Sequence, residues 1–250
     1  MFYDQGVYPL RFEWGEAAIQ HLAPLCQAVV IVDVLSFSTA VDVALGRGAS
    51  VLPYRWKDDS ALQFAERHDA LLASHERRFA GGHSLSPASL ATLPQGARLV
   101  LPSPNGATLS VLARETGAVV FTACFRNAGA VAASLRQRFD RILLVAAGER
   151  WPEGTLRPAR EDEWGAGAII AALNMPASPE AQAAADAYRA VQVKLLASVT
   201  ACSSGRELVE RGFADDLTWA CDLNVSRAVP LLSHLAYLDA DGHRPPILPV

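Results

Sequence analysis

The sequence lacks the features that mark membrane, secreted and nucleic-acid-binding proteins. No apolar stretch reaches the roughly 18 residues that a membrane-spanning helix needs, and the first residues have neither the basic region nor the apolar run of a signal peptide. The net charge is −4, and no run of lysine or arginine suggests a nucleic-acid surface. We therefore expect a cytoplasmic protein whose partners are small molecules, not nucleic acid or a membrane.

Cysteine is scarce, and the common phosphate-handling motifs are missing. The four cysteines form no Cys-x-x-Cys pair, so neither a zinc site nor a disulfide framework is predicted. There is no Gly-x4-Gly-Lys-Ser/Thr loop and no Gly-x-Gly-x-x-Gly after a strand. Asp33 has no second aspartate two residues on, which argues against the common phospho-aspartate mechanism. Cys221 is followed by Arg227 without a glycine between them to cradle a phosphate, so a thiolate phosphatase is not predicted.

What the sequence does contain is an alternation of apolar strands and helices. Hydrophobic residues make up 51% of the chain and charged residues 19%, which is typical of a globular protein. Strand-like runs at Arg98–Leu101, Ala118–Ala123 and Arg141–Ala147 are each followed by a turn, and helical patterns alternate with them. This pattern predicts an α/β fold, namely one three-layer α/β/α domain over residues 1–250 with a mostly parallel or mixed central sheet. Residues 177–222 read as mainly helical and packed on the same domain.

Two further segments give specific expectations. Residues Val7 to Trp14 alternate between apolar and polar side chains, which predicts an edge or antiparallel strand. Pro179 to Val199 has the period of an Ala-rich helix, and Ser203 to Glu210 predicts a shorter one.

The stretch around Asp33 carries the sharpest functional signal. Ala28–Val32 is continuously apolar and predicts a strand buried on both faces, and Asp33 stands where that strand should end. A carboxylate there is costly to bury unless it is paired or metal-bound; its alternative role is to cap the next turn. Ser38 and Thr39 then open a helix, so the segment suits a metal and an anion. Asp42 reads as a solvated or salt-bridged residue of that helix.

Polar residues also follow the other core strands. In an open α/β sheet the carboxyl ends of the strands lie along one edge, where ligands bind. Serine, threonine and asparagine are equally good helix caps, so a single turn of this kind decides little, but four together favour a site. The candidates are Ser38 and Thr39, Ser103 and Asn105, Arg126 and Asn127, and Gly148.

An acidic pair, Glu161 and Asp162, begins a later predicted helix. Acids in a first turn gain roughly 0.3–1 kcal/mol each from the helix dipole, which explains one or two of them. Gly165 and Gly167 each cost about 0.5–1 kcal/mol against alanine and therefore predict close approach of another backbone or a ligand. Oxygen ligands from Asp33 and the acidic pair would suit Mg²⁺.

Several short motifs occur in a recognisable order between about residue 28 and residue 230. They are Val32-Asp33-Val34-Leu35 followed by Ser38-Thr39, Glu76-Arg77, Ser86-Pro87, Ser103-Pro104-Asn105-Gly106, Asn127-Ala128, Glu161-Asp162 with Ala166-Gly167, Ser204-Gly205-Arg206, and Gly212-Phe213. This ordered set resembles the 2-phosphosulfolactate phosphatase family.

The resemblance implies a three-layer α/β domain and a Mg²⁺-dependent hydrolase that releases phosphate from 2-phosphosulfolactate, on a route to coenzyme M. It implies that Asp33, Glu161 and Asp162 are the catalytic and metal-binding acids. The expected partner is a small anionic phosphorylated substrate, and a homodimer is compatible with the sequence. The residues that it implies for the anion pocket are Ser38, Thr39, Arg77, Asn105, Gly106 and Asn127, to which Ser103, Arg126 and Gly148 are added from their positions after strands.

The sequence departs from the family pattern at two places. Ser36-Phe37 stands where the family usually has Arg-Ala, and Ala88-Ser89 replaces an acid expected soon after Ser86-Pro87. A guanidinium is the natural bidentate partner of a phosphate or sulfonate; Arg126 is one possible substitute. A second hypothesis therefore stands beside the phosphatase hypothesis: the protein is a catalytically impaired family member that acts as a small-anion-binding or regulatory protein. Unrelated carboxylate-sugar or nucleotide chemistry is a third reading.

Overall fold

A computed structural model describes residues 2–56, 58–74 and 82–242 of the protein. The strands are β1 (Leu10–Trp14), β2 (Ala28–Val32), β3 (Ser50–Tyr54), β4 (Leu71–Leu72), β5 (Arg98–Pro102), β6 (Val119–Thr122), β7 (Ile142–Ala146), β8 (Glu149–Arg150), β9 (Leu156–Arg157), β10 (Pro230–Ser233) and β11 (Ala236–Asp239). The helices are α1 (Gly15–His21), α2 (Phe37–Gly46), α3 (Ser60–Arg67), α4 (Pro87–Leu90), α5 (Gly106–Arg114), α6 (Ala128–Arg136), α7 (Arg160–Leu173), α8 (Pro179–Val191), α9 (Leu195–Ala201), α10 (Ser203–Glu210) and α11 (Ala214–Cys221).

The central sheet is mixed and has nine strands in the order β1-β7-β2-β6-β10-β11-β3-β5-β4. Strands β1, β7, β2 and β6 are parallel to one another, and β3, β5 and β4 form a second parallel group. The antiparallel hairpin β10–β11 joins the two groups. The predicted α/β class with a mostly parallel mixed sheet is therefore confirmed.

Strand β2 lies inside the first parallel group and is buried at every residue. Its alternate side chains enter two cores: Val30 and Val32 pack in the core that includes Ile169 of α7, whereas Val29 and Ile31 pack in the core that includes Val41 of α2. A strand with helices on both faces must be apolar at every position. This explains the unbroken apolar run of β2.

The helices after residue 177 share the first of these cores. Tyr188, Leu195, Leu208 and Leu217 are buried there together with β2 and β7. The helix expected over Pro179–Val199 is interrupted by a short 3-10 turn between α8 and α9. In the described part of the chain no helix combines the length and the apolar character needed to cross a membrane.

The sequence expectation was met at one β element and missed another. Strand β1 lies at the edge of the sheet, one of the two predicted alternatives, and pairs parallel with β7. The β10–β11 hairpin was not predicted, because its four-residue strands are short and its turn uses His234 with φ +54° in place of an Asn-Gly signal.

The two glycines early in α7 lie in close contacts. A Cβ atom built on Gly165 would lie 2.6 Å from Val34 Cγ2, and one on Gly167 would lie 2.1 Å from the carbonyl oxygen of Ala184 in α8. Of the two alternatives predicted from these glycines, a backbone or a ligand, the backbone of α8 makes the close approach at Gly167, whereas Gly165 meets the Val34 side chain.

We expect Gly167→Ala to lower the free energy of unfolding by about 1–3 kcal/mol, because the added methyl group would force two packed helix backbones apart. Gly46 is the matched control: it also lies in a helix, but its Cβ would meet nothing within 4 Å. Gly46→Ala should stabilise by about 0.4–1 kcal/mol. Urea unfolding followed by circular dichroism measures both, and equal effects would contradict the contact at α8.

Candidate active site

Asp33 lies directly after β2 and links two helix starts. Its Oδ1 accepts a hydrogen bond from the Phe37 N–H (3.2 Å) at the start of α2, and its Oδ2 accepts one from the Gly106 N–H (2.9 Å) at the start of α5. Backbone N–H groups at helix N-termini stabilise a carboxylate. Asp33 therefore caps the turn that follows it, and it also reaches a second helix far away in sequence.

Gly106 is required at its position by this contact. A Cβ there would lie 2.4 Å from Phe37 Cδ1 and 2.8 Å from Asp33 Oδ2. The N-terminus of α5 can approach the Asp33 carboxylate this closely only because residue 106 has no side chain.

Ser38 and Thr39 are fully buried and hold the segment around Asp33. Ser38 Oγ accepts the Asp33 N–H (2.8 Å) and shares a hydrogen bond with Thr122 Oγ1 (2.7 Å), while Thr39 Oγ1 donates to the Val34 carbonyl (2.7 Å). Neither residue lines the two cavities described below. Their contacts in the structure thus position Asp33.

The acidic pair at the start of α7 is also buried. Asp162 Oδ1 accepts the Val34 N–H (2.7 Å) and its Oδ2 accepts the Gly148 N–H (2.9 Å), so this carboxylate joins the segments that follow β2 and β7. Glu161 Oε2 accepts a hydrogen bond from the Cys202 thiol (3.2 Å). Asp162 and Gly148 therefore lie next to the Asp33 segment, and Glu161 precedes Asp162 in α7.

A polar cavity of about 210 Å³ opens beside Asp33. Three predicted site residues line it: Asp33, Ser103 and Asn105. Five further polar residues that were not predicted as site residues also line it, namely Ser36, Glu149, Ser204, Glu207 and Arg211. Ser204 and Arg211 come from the C-terminal helical segment, so that segment contributes to the wall of the site.

A second cavity, of about 280 Å³, shares Pro104, Asn105 and Glu149 with the first. Its wall includes apolar side chains of Trp14, Leu109 and Leu156. Glu16 and Arg150 also line it, and they form an ion pair with each other at 2.6 Å, about half exposed.

Glu149 is the titratable residue among those that line both cavities. Its Oε2 accepts a hydrogen bond from Asn105 Nδ2 (3.0 Å). Burial, followed by the negative charge of Asp33, raises the pKa of Glu149 to about 7. The sequence contains one signal for Glu149, because this residue directly follows Gly148 after a core strand. Only Gly148 was predicted as a site residue.

Negative charge accumulates at this end of the sheet. Burial, and then the charges of Glu161 and Asp33, raise the pKa of Asp162 well above its usual value. Glu161 also contributes to the raised pKa of Glu149, while Arg157 acts in the opposite direction. A phosphate dianion would meet repulsion here unless a cation accompanied it.

Arg126 and Asn127 lie away from both cavities. Arg126 Nε donates to Asp42 Oδ2 (2.8 Å) in a buried ion pair, and Asn127 Oδ1 accepts the Cys124 N–H (2.9 Å). Asp42 is thus salt-bridged, one of the two states expected for it. Arg77 lies outside the residues that the structure describes.

The carboxylates supply oxygen ligands but do not form a ready cage. Among residues 2–56, 58–74 and 82–242, no group of three His, Cys, Asp or Glu side chains is arranged to hold a metal ion. Both oxygens of Asp162 and both oxygens of Asp33 accept backbone N–H groups, and Asp33 also borders the polar cavity. Such a site fits an ion that takes one or two carboxylates and completes its shell with water and substrate, as Mg²⁺ does.

The family model for 2-phosphosulpholactate phosphatase matches residues 17–234. The chain belongs to this family. Its match spans the strand that carries Asp33, the acidic pair of α7 and the helices that bring Arg211 to the polar cavity.

Curated relatives in the family have similar length. A "2-phosphosulfolactate phosphatase" of Methanothermobacter thermautotrophicus is 29% identical over 210 residues, which cover 81% of this chain and 85% of the relative. A "Probable 2-phosphosulfolactate phosphatase" of a Synechococcus species is 31% identical over 216 residues (81% and 85%). Another of that name, from Gloeobacter violaceus, is 29% identical over 213 residues (80% and 86%).

One of the two departures described above lies at this site, because Ser36 lines the polar cavity. Ser86, which precedes the missing acid, donates its hydroxyl hydrogen bond to Asp216 Oδ1 of α11. Arg211 lines the polar cavity from the end of α10 and has an exposed partner, Glu207, at 2.9 Å.

Glu149 should make stability depend on pH. Its folded pKa of about 7 lies above its usual value of 4.5, so its stabilising contribution is present below pH 4.5 and is lost as the pH rises through 7. With metal removed by a chelator, we expect the wild type to lose about 1–3 kcal/mol relative to Glu149→Gln between pH 4.5 and 8. The charged groups that act on it are Asp33, Glu161 and Arg157. Chemical unfolding at several pH values measures the difference, and a pH-independent difference would contradict the shift.

Proposed function

We propose that the protein is a Mg²⁺-dependent phosphate monoester hydrolase that releases phosphate from a small anionic phospho-hydroxy-acid, with 2-phosphosulfolactate as the first candidate. The observation that carries the proposal is the Asp33 carboxylate, tied to the starts of α2 and α5 and bordering a polar cavity, in a chain of this phosphatase family. The names of the relatives support the substrate class. Action in the cytoplasm, on a route to coenzyme M, is part of the same proposal.

The negative charge at the site supports the need for a cation. Asp33 would hold Mg²⁺ at the cavity, with Glu161 and Asp162 contributing charge and ligands behind it. When bound, the ion would lower the pKa of an attacking water and offset charge on the phosphoryl oxygens.

The chain's own residues would bind and orient the substrate. The phosphoryl group fits the polar cavity, where the Ser103 hydroxyl and the Asn105 amide can contact its oxygens. Arg211 can turn from Glu207 toward the same anion, because this ion pair is exposed and such pairs contribute little to stability. Arg211 would thereby supply the guanidinium that Ser36 does not.

The test is phosphate release from phosphorylated hydroxy-acids with Mg²⁺ and with a chelator. We expect turnover that the chelator abolishes and Mg²⁺ restores. Arg211→Ala should raise KM about tenfold or more, since hydrogen bonds to charged groups contribute about 1.5–3 kcal/mol. Arg206→Ala is the matched control, because Arg206 lies on the same helix in an exposed pair with Glu210.

The position of Ser36 in the cavity favours one competing function, a small-anion-binding protein without turnover. Thermal stabilisation by the same phospho-acids with no phosphate released would support that function and would overturn the proposal.

A further inference from the structure

The two cavities beside the Asp33 segment share three lining residues, Pro104, Asn105 and Glu149. The cavity of about 210 Å³ carries Asp33 and Ser103, whereas the cavity of about 280 Å³ has a mixed wall, with apolar Trp14 and Leu156 and the ion pair of Glu16 with Arg150. A phosphate monoester has two halves, a phosphoryl group and an organic alcohol, which in the proposed substrate class also carries an acid group. A substrate with its phosphoryl group in the first cavity and its organic half in the second would have its ester bond near the side chains that line both.

Glu149 is one of these side chains. It lines both cavities, and its Oε2 is held by Asn105 Nδ2 at 3.0 Å. It begins β8 directly after Gly148, whose N–H is bound by Asp162, so its backbone is anchored to the same buried acid as the Asp33 segment.

We propose that Glu149 is the general acid that protonates the leaving oxygen of the substrate. This inference rests on the proposed phosphatase function. A water oxygen forms a bond to phosphorus while the bond from phosphorus to the ester oxygen breaks, and that electron pair stays on the ester oxygen. The ester oxygen takes the proton of the Glu149 carboxyl group and leaves as an alcohol. The proton released by the attacking water returns to Glu149 through solvent.

The neighbouring acids are less suited to this role. Asp162 lines neither cavity, and each oxygen of Asp33 accepts a backbone N–H, a bond that favours the charged carboxylate. Glu149 instead accepts the neutral Asn105 amide and faces the charges of Asp33 and Glu161, opposed by Arg157. Burial raises its pKa to about 7, so this carboxyl group holds a proton more readily than an exposed one, which suits a proton donor.

Two esters with different leaving groups distinguish proton donation by Glu149 from a purely positioning role. An alkoxide needs a proton to leave, whereas p-nitrophenolate leaves without one. Glu149→Gln keeps an oxygen that can accept the Asn105 hydrogen bond but cannot donate a proton. For Glu149→Gln we expect kcat for a phosphorylated hydroxy-acid to fall by about 100- to 10,000-fold. The decline of wild-type kcat at high pH should be lost in this variant. For p-nitrophenyl phosphate, kcat should fall less than about tenfold.

Glu153→Gln is the matched control, because Glu153 is an exposed residue of the next loop, bonded to Thr155. Glu149→Asp, which keeps a carboxyl group, should retain more alkyl-ester activity than Glu149→Gln. Equal losses of Glu149→Gln on both esters would overturn the proposal and leave Glu149 a positioning residue. Failure of the proposed function looks different: the wild type itself would release no phosphate from either ester, which overturns both.

Discussion

Asp33→Asn is expected to lower kcat/KM for phosphate release by about 1,000-fold or more. The carboxylate would supply negative charge for the metal ion, and its two oxygens accept N–H groups of Phe37 and Gly106. An asparagine has one acceptor oxygen, so its NH2 group would face one of these donors. Metal-assisted charge stabilisation contributes several kcal/mol, and about 4 kcal/mol corresponds to 1,000-fold in rate.

The measurement is steady-state phosphate release with Mg²⁺, together with thermal unfolding to show that the variant is folded. Asp140→Asn is the control, because Asp140 is an exposed aspartate just before β7. If folded Asp33→Asn released phosphate at the wild-type rate with the same dependence on Mg²⁺, Asp33 would have no catalytic role and the proposed function would lose its main support.

Arg126→Met is expected to lower the free energy of unfolding by about 3–5 kcal/mol. Arg126 pairs with the buried Asp42 at 2.8 Å and also donates to the Trp219 carbonyl (3.0 Å). Burial already raises the pKa of Asp42, and Arg126 counteracts this. Removing the arginine would leave an uncompensated buried carboxylate, which is costly.

A double-mutant cycle with Asp42→Asn tests the cause. The double variant should be less destabilised than the sum of the single variants, because the buried charge is then removed with its partner. Simple additivity in urea unfolding would show that the pair is not coupled. The same variants bear on the predicted substrate contact of Arg126, since a folded Arg126→Met protein with a raised KM would support that contact.

Much of the fold could be predicted from local patterns. The apolar run of β2 requires a strand covered on both faces, and helical periods give α7 and α10 within a few residues, whereas the helix predicted over Pro179–Val199 is divided into α8 and α9. The β10–β11 hairpin that joins the two parallel groups could not, because its short strands carry little periodicity. The pairing of β1 with β7 was also undetermined, since alternation shows a half-buried strand but not the direction of its neighbour.

The candidate site divides in the same way. Asp33, Ser103 and Asn105 follow core strands, and sequence position alone predicts them to lie near a ligand. Ser38, Thr39 and Asn127 have the same local pattern, yet their polar groups bond to buried partners. Local sequence cannot separate these cases, because a capping side chain and a ligand-binding one occupy the same position in a turn.

By itself the sequence determined the α/β class, the acid after a buried strand and the resemblance to a phosphatase family, because these depend on periodicity, residue type and motif order. Only the tertiary structure decided that Glu149 lines both cavities and that Arg211, from a distant helix, lines one of them. It also decided that Arg126 pairs with a buried acid. The physical reason is that burial and charge proximity arise between segments far apart in the chain, and they set both the pKa of a side chain and the cavity it faces.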